Sequence, residues 1–196
     1  MTQEEFNAML IAAKPTLKTS KQRAHSVICP TPARFRCSDR RHAMQIRTAH
    51  AADLPQLLNL YEQARRFMVQ TGNPTQWGDG YPKQPLLEQD IARQQLYVAE
   101  DAGALTAVFM FFQGPEPTYA EIFEGQWLDD APYGTIHRLA SAGTVRGMGQ
   151  RCLDWCFSQC GNLRGDTHRD NRVMQQQFLK NGFVRCGLVY MEDGTE

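Results

Sequence analysis

The chain has 196 residues and a formal net charge of zero, with 42% hydrophobic and 21% charged residues. This length suits one domain with an extension better than two domains, because an ordinary core needs about 100 to 150 residues. The composition is that of a soluble protein. The longest compact apolar run, at residues 107–112, is far shorter than the roughly 18 residues that span a bilayer, so we expect no membrane segment.

The zero net charge hides a difference between the two parts of the chain. Residues 1–44 hold 8 Lys and Arg against 3 Asp and Glu, and the remainder holds 13 against 18. A mildly acidic body argues against nucleic acid as a partner. The six cysteines include no Cys-x-x-Cys pair, and the sequence shows no secretory signal with an apolar core, which favours a reduced cytoplasmic setting.

Residues 1–43 differ in composition from the rest, with scattered prolines, Ser, Thr and basic residues. The pattern predicts a poorly ordered basic extension that contains one short helical candidate at residues 3–14. We expect the folded domain to comprise residues 44–196, with Met44 as its natural beginning.

From Met44 onward the apolar periodicity alternates between strand and helix patterns. The predicted strands are residues 45–48, 96–100, 105–112, a short strand that begins at Thr135, 163–167 and 183–191. The predicted helices are residues 51–69, 85–93, a helix that follows the short strand, and 171–180. The order β-α-α-β-β-β-α-β-α-β predicts an α/β fold with a mixed, mostly antiparallel central sheet flanked by helices.

Residues 135–150 are the most informative segment, because a short strand is followed there by a glycine-bearing turn and the start of an amphipathic helix. Gly147 and Gly149 let the backbone approach an anion closely. A helix N-terminus adds unpaired N–H groups and the positive end of the helix dipole. The segment therefore predicts a site for a phosphorylated ligand.

Two motifs carry a resemblance to a known family. The first is Thr144-Val-Arg-Gly-Met-Gly149, which matches both glycines of a phosphate-loop pattern that usually begins with Gln or Arg rather than Thr. The second joins Asn171 to Phe178-Leu-Lys-Asn-Gly-Phe183, a helix followed by a Gly-Phe ending. From Met44 onward the chain resembles the Gcn5-related N-acetyltransferase (GNAT) superfamily.

The resemblance implies a GNAT-like acyl-CoA N-acyltransferase fold with acetyl-CoA as co-substrate. The pyrophosphate of coenzyme A would lie on residues 144–150, called the phosphate turn below, and the pantetheine would run along the preceding strand edge. The implied cofactor-binding residues are Leu139, Ala140, Ser141, Thr144, Val145, Arg146, Gly147, Met148, Gly149, Gln150, Asn171 and Phe178. Phe178 stands where many members have a Tyr that protonates the leaving sulfur, so the general acid is left open.

Three residues are candidates for catalysis. His137 precedes the phosphate turn, where a base or a group that positions the acceptor could stand. Glu121 and Glu124 lie in the preceding loop, from which a carboxylate could remove the amine proton directly or through water. The alternatives are a structural histidine and two solvated carboxylates.

Residues 71–82, called the acceptor loop below, join the first two helices of the domain and are rich in Gly, Pro and aromatic residues. The resemblance implies that this loop recognises the acceptor, and the candidate residues are Asn73, Gln76, Trp77 and Tyr81. Packing of the loop onto the body of the domain is the alternative.

Two clusters contain residue types that bind metals. Cys152, Cys156 and Cys160 share one helical face with apolar residues, which favours core packing over a metal site. Asp166, His168 and Asp170 lie where a strand opens into a helix, and we expect no metal there either.

The chain ends soon after its last predicted strand, at what looks like a hairpin turn without a second strand. The last strand would then present an uncovered edge. Either the family's final strand is missing from a shortened chain, or another segment or the second subunit of a homodimer covers that edge.

The leading interpretation is an acetyl-CoA-dependent N-acetyltransferase, an acyltransferase whose acceptor is a primary amine of a small molecule that attacks the thioester directly. The alternative is a non-catalytic acyl-CoA-binding or regulatory domain, suggested by Phe178 and the missing strand. A nucleotide-binding protein that shares only the glycine turn is disfavoured, because no Gly-Lys-Ser/Thr follows.

Overall fold

The computed structural model describes residues 7–13, 44–78 and 80–190. Its strands are β1 Asn7–Ala13, β2 Gln45–Thr48, β3 Leu96–Asp101, β4 Ala104–Gln113, β5 Gly134–Ser141, β6 Leu163–His168 and β7 Val184–Tyr190. Its helices of more than one turn are α1 Leu54–Gln70, α2 Gln84–Ala92, α3 Met148–Gln159 and α4 Arg172–Lys180. From β2 onward this is the predicted order of elements.

The described strands form one sheet in the order β2-β3-β4-β5-β6-β1-β7. Every neighbouring pair is antiparallel except β5 and β6, which run parallel because α3 crosses over between them. The predicted mixed, mostly antiparallel sheet is therefore confirmed.

Helices cover both faces of the sheet. On one face, Leu57 and Tyr61 of α1 and Leu87 of α2 pack with inward-facing residues of β3, β4 and β5. On the other face, Leu153 of α3 and Phe178 of α4 pack against the opposite side of the same strands. The apolar stripes of these helices account for their positions, since each stripe is buried only against the sheet.

Strand β1 corrects two expectations. The helical candidate at residues 3–14 is wrong for residues 7–13, which form a strand between β6 and β7 and pair with both. A short apolar run can be a helix or a strand, and here two unpaired strand edges decide in favour of a strand. The expected domain start at Met44 leaves this strand out of the domain; residues 14–43 lie outside the described part of the chain.

Strand β7 has partners on both sides, unlike the uncovered edge that the sequence suggests. One edge pairs with β1. On the other, the N–H of Phe123 donates to the carbonyl of Leu188, and the N–H of Leu188 donates to the carbonyl of Phe123, at 2.9 and 2.8 Å. Other segments of the same chain therefore cover the edges of β7, which is one of the explanations that the sequence analysis offers. The expected hairpin turn at residues 192–196 lies outside the described residues.

Among the helices in the described ranges, none has the length and apolarity needed to cross a membrane.

Candidate functional site

The two parallel strands of the sheet diverge after a short contact. Strands β5 and β6 pair only from Gly134 opposite Leu163 to Ile136 opposite Gly165. Beyond this point β5 continues to Ser141 and β6 to His168 without pairing with each other. The divergence opens a cleft, called the β5–β6 cleft below, at the end of the sheet where α3 and α4 begin. The predicted pantetheine edge, Leu139 to Ser141, lies along this cleft.

A β-bulge lies in β5 where the cleft opens. Two residues of β5, Arg138 and Leu139, oppose the single residue Phe109 of β4, and Arg138 has a φ of +52°. This left-handed conformation costs a non-glycine residue about 1–2 kcal/mol. The bulge turns two consecutive side chains, those of His137 and Arg138, to the face covered by α1 and α2, while Leu139 packs with the α3 side.

The phosphate turn has the backbone conformation that the sequence predicts. Gly147 is the N-terminal cap of α3 and has a φ of +79°, and no atom lies within 4 Å of the position that a Cβ would occupy. Within the described ranges, the N–H groups of residues 143–147 donate no hydrogen bond to a backbone carbonyl. Open space beside unpaired N–H groups at a helix N-terminus fits a phosphate group.

The other residues of the phosphate turn divide by exposure. Thr144, Arg146 and Gln150 are exposed, Val145 is half-buried, and Met148 is buried in the core beneath the turn. Gly149 serves close packing rather than the turn, because a Cβ there would lie 3.3 Å from the side chain of Gln177. The turn thus presents its backbone, and not a ring of charged side chains, to the cleft.

His137 lies between two carboxylates that the sequence does not place beside it. Its Nε2 is 3.1 Å from an oxygen of Glu116, and its Nδ1 is 3.1 Å from Oδ1 of Asp166. The hydroxyl of Tyr119 donates to the same Asp166 oxygen at 2.6 Å. We call Glu116, Tyr119, His137 and Asp166 the His137 cluster. Tyr119 is 3% exposed, and the side chains of the other three residues are 8–13% exposed.

The cluster holds His137 in its charged form. Burial by itself would lower the histidine pKa, but the hydrogen bonds to Asp166 and Glu116 outweigh it and raise the pKa to about 9. For both carboxyls, burial works toward a higher pKa, and the contacts with His137 prevail and lower it. At neutral pH the cluster therefore contains one imidazolium and two carboxylates, and carries one net negative charge.

Arg138 forms a second buried ion pair on the same face. Its guanidinium donates to Oδ2 of Asp90 on α2 at 2.6 Å, and both side chains are at most 5% exposed. A second N–H of Arg138 donates to the Tyr81 hydroxyl at 3.3 Å. Burial raises the pKa of the Asp90 carboxyl, and the guanidinium opposes that rise. Helix α2 and the acceptor loop are thus joined to the bulge.

The acceptor loop also contacts the start of α4. The side-chain oxygen of Gln76 accepts from the amide nitrogens of Asn73 at 2.7 Å and Asn171 at 2.8 Å. Asn171 caps α4, since its own side-chain oxygen accepts from the N–H of Met174 at 3.1 Å. Trp77 packs edge-on against Tyr61 at 5.7 Å. Residues predicted separately for acceptor and cofactor therefore meet in one network.

The remaining predicted residues lie apart from this network. Glu121 and Glu124 are exposed, and Glu124 lies between two residues that bond to β7, so the structure does not bring it to His137. Phe178 is 3% exposed, and its ring tip lies over Gly165, where β5 and β6 begin to diverge. Phe178 therefore lines the base of the cleft from the core side.

Sequence reasoning missed Glu116, Tyr119 and Asp90, and gave Asp166 no partner. Asp90 had a detectable signal, because it lies three residues after Leu87 on the buried face of α2. Arg138 had another, since an arginine between Ile136 and Leu139 places a charge in the middle of a strand. Glu116 and Tyr119 had none, because a loop folds them onto strands that follow them in the chain.

The cysteine cluster packs in the hydrophobic core. Cys152 and Cys156 are fully buried in the core, which confirms their predicted packing, and burial raises the pKa of the Cys152 thiol to about 12. Across the described ranges, no three His, Cys, Asp or Glu side chains are arranged to hold a metal ion.

Several solved structures share this fold. An acetyltransferase of the GNAT family from Streptococcus agalactiae is 32% identical, with a TM-score of 0.68 over 76% of this chain and 94% of that one. A GNAT-family acetyltransferase from Listeria monocytogenes is 18% identical, with a TM-score of 0.54 over 76% of this chain and 94% of that one. An aminoglycoside 6'-N-acetyltransferase from Acinetobacter haemolyticus is 17% identical, with a TM-score of 0.53 over 78% of this chain and all of that one. No protein-family model and no curated protein sequence matches the chain.

Proposed function

This chain belongs to the GNAT family of acetyltransferases, and we propose that it transfers the acetyl group of acetyl-CoA to a primary amine of a small molecule by direct attack. The observation that carries the proposal is the divergence of β5 and β6 beyond Ile136 and Gly165. Beyond this point β5 carries the bulge, and the phosphate turn follows β5 at the start of α3.

The residues present fit coenzyme A. The open backbone at Gly147 and the unpaired N–H groups of the turn suit a pyrophosphate. Among the described strands, none pairs with the β5 edge from Leu139 to Ser141 on the β6 side, so this edge can bind an extended pantetheine as an added strand. Asn171 stands across the cleft at the start of α4.

Acetyl-CoA supplies an acetyl thioester, and the amine nitrogen bonds to its carbonyl carbon as the carbon–sulfur bond breaks and coenzyme A leaves with a proton. The backbone of β5 contributes N–H groups along the cleft that can stabilise the developing oxyanion. Phe178 cannot donate a proton. An ordinary thiol has a pKa of about 8.5, so water can protonate the leaving sulfur near neutral pH.

We assign His137 to positioning the acceptor rather than to accepting its proton. An imidazolium with a pKa of about 9 has no free lone pair at neutral pH. The net negative charge of the His137 cluster attracts the protonated amine, which then loses its proton to water or to the exposed Glu121, two residues beyond Tyr119. Glu124 lies beside β7 and is the weaker candidate for that step.

One side-chain oxygen of the acceptor loop can accept a hydrogen bond from the amine substrate. In the part of the chain that the structure describes, Oδ1 of Asn73 is buried without a hydrogen-bond partner. A buried orphan oxygen is costly, and an N–H donor from a ligand would satisfy it. The aromatic side chains of Trp77 and Tyr81, both half-buried, would cover the apolar part of a small acceptor.

The cysteines in the described ranges are free thiols. We therefore place the reaction in the cytoplasm, where thiols stay reduced.

Thiol release tests the proposal. The full chain is incubated with acetyl-CoA and a panel of amino acids, polyamines and aminosugars, and free thiol is measured against a no-amine blank, with coenzyme A binding followed by calorimetry. We expect binding and amine-dependent release. Tight binding without turnover across the panel would instead support the acyl-CoA-binding alternative, and absence of binding would refute both.

A further inference from the structure

The bulge in β5 decides which of its backbone N–H groups face the β5–β6 cleft. Before the bulge, the N–H of Gly134 donates to the carbonyl of Asn162, on the β6 side, at 2.8 Å. After the bulge, the N–H of Ala142 donates to the carbonyl of Thr106 on β4 at 2.9 Å. Backbone groups alternate between the two edges of a strand, so even-numbered residues face β6 before the bulge and β4 after it. The extra residue therefore shifts the alternation by one position.

Leu139 is turned to the cleft by this shift. Counting back from Ala142, Ala140 faces β4, where it lies opposite Val108, and Leu139 faces the cleft. Without the extra residue the order would be reversed, and Ala140 would face the cleft in place of Leu139. The N–H of Leu139 is thus directed to the β6 side just beyond Ile136, the last residue of β5 that pairs with β6.

The hydroxyl of Tyr61 holds the peptide that contains this N–H. Tyr61 lies on α1 and is completely buried, and its hydroxyl donates to the carbonyl of Arg138 at 3.2 Å. The carbonyl of Arg138 and the N–H of Leu139 belong to one planar trans peptide and point in opposite directions. A bond that directs the carbonyl toward α1 therefore fixes the direction of the N–H as well. Burial raises the pKa of the Tyr61 hydroxyl, which keeps its proton and remains a donor.

The strained backbone at Arg138 needs such a contact. Its φ of +52° is a conformation that residues other than glycine rarely adopt, and it persists only where surrounding groups hold it. The guanidinium of Arg138 is held by Asp90 and by the hydroxyl of Tyr81. Those bonds fix the side chain, and the bond from Tyr61 fixes the carbonyl. Helix α1 therefore contributes the contact that acts on the peptide itself.

We propose that Tyr61 is a positioning residue for acetyl transfer, whose hydroxyl aims the N–H of Leu139 at the thioester oxygen of acetyl-CoA. As the amine nitrogen bonds to the carbonyl carbon, negative charge grows on that oxygen. A donor that is already directed at the oxygen stabilises this transition state more than it stabilises the bound thioester. Tyr61 acts through the backbone and not by contact with a substrate. The inference rests on the proposed function.

Tyr61→Phe tests the inference, because it removes the hydroxyl and keeps the ring in the core. The probe is acetyl-CoA isotopically labelled at the thioester carbonyl, whose stretching frequency in the bound state is measured by infrared difference spectroscopy. A hydrogen bond to the carbonyl oxygen lowers this frequency, so the frequency should be higher in Tyr61→Phe than in the wild type. Coenzyme A has no acetyl carbonyl, and its affinity in calorimetry should stay within about two-fold of the wild-type value.

Turnover gives a second measurement. With an amine that supports thiol release, kcat should fall by about ten-fold in Tyr61→Phe while KM for acetyl-CoA changes little, because a misdirected donor costs less than a deleted one. Tyr97→Phe is the matched control. It removes a tyrosine hydroxyl on the opposite face of the sheet, where the ring packs against Trp155 of α3. This variant should keep the wild-type carbonyl frequency and kcat.

A wild-type carbonyl frequency in Tyr61→Phe would overturn the inference. So would a loss of coenzyme A affinity in parallel with kcat, or a variant that does not fold, since either result would show that the hydroxyl supports the structure as a whole. A wild-type protein that binds acetyl-CoA and acetylates no amine would refute the proposed function, and the frequency comparison would still decide the role of Tyr61 toward the bound thioester. Failure of the wild-type protein to bind acetyl-CoA would refute both.

Discussion

The Nδ1 atom of His137 lies 3.1 Å from Oδ1 of Asp166, on the two strands that diverge to form the cleft. These residues are neighbours only because β5 and β6 run parallel in the sheet. The contact brings together a base and an acid from distant parts of the chain, and it makes the charge state of His137 a property of the fold.

The stability of the protein should depend on pH through His137. Two carboxylate partners raise its pKa from the ordinary histidine value of 6.5 to about 9 in the folded protein. A raised pKa contributes stability that is complete below 6.5 and is lost as the pH rises through 9, up to about 3 kcal/mol. We expect the free energy of urea unfolding to fall between pH 6.5 and 9 in the wild type and to vary less in His137→Gln. His50→Gln changes an exposed histidine and should keep the wild-type pH dependence. If the unfolding free energies of wild type and His137→Gln vary with pH in parallel, His137 is not the group responsible.

The buried pair of Arg138 and Asp90 should be sensitive to loss of one partner. Asp90→Ala leaves a guanidinium charge in the core without its carboxylate, which should lower the free energy of unfolding by about 3–5 kcal/mol. Arg66→Ala breaks an ion pair with Glu62 in which the arginine is 73% exposed, and its effect should be much smaller, because solvent screens exposed charges. Equal effects in urea titrations of the two variants would show that the Asp90 pair is not buried as described.

Coenzyme A affinity should depend on the open backbone of the phosphate turn. In Gly147→Val a branched side chain fills the space beside the unpaired N–H groups, and affinity should fall by about 100-fold in calorimetry. Gly103→Val is the matched control, because Gly103 has a nearly equal φ of +81° and equally open surroundings in the turn between β3 and β4. It should be strained to a similar degree and still bind. If both variants lose affinity alike, backbone strain and not the phosphate site is the cause.

Strand β1 should be required for stability. Removal of residues 1–13 exposes one edge of β6 and one of β7 at the same time, and we expect the melting temperature to fall by at least about 10 °C. Removal of residues 1–5 leaves the strand and should have little effect. Composition alone suggests that the whole extension is dispensable, so an unchanged melting temperature after the longer deletion would favour that simpler interpretation.

Most of the fold was predictable because its signals are local. The apolar patterns of α1 and of the strand predicted at residues 105–112 are properties of short segments, and the structure confirms both elements. The family and enzyme class were recognisable from two motifs around Gly147 and Asn171, and the comparison at 32% identity confirms them. The roles of individual site residues stay predictions.

The site was less predictable because its contacts are non-local. Nothing near Glu116 in the sequence indicates that it faces His137, 21 positions later. The bulge at Arg138 depends on how β5 pairs with β4. As a result, the sequence suggested His137 as a possible base, whereas its two carboxylate partners favour a charged, positioning role.

By itself, the sequence determined the order of the elements, the glycine turn at the start of α3 and membership of the GNAT family, because short-range periodicity and backbone freedom are encoded in neighbouring residues. The tertiary structure alone decided that β1 completes the sheet, that two carboxylates surround His137, and that Gln76 reaches Asn171. Each of these is a contact between residues far apart in the sequence, and it forms because a strand edge or a side chain is left without a partner once the rest of the chain has folded. Such contacts leave no local pattern in the sequence.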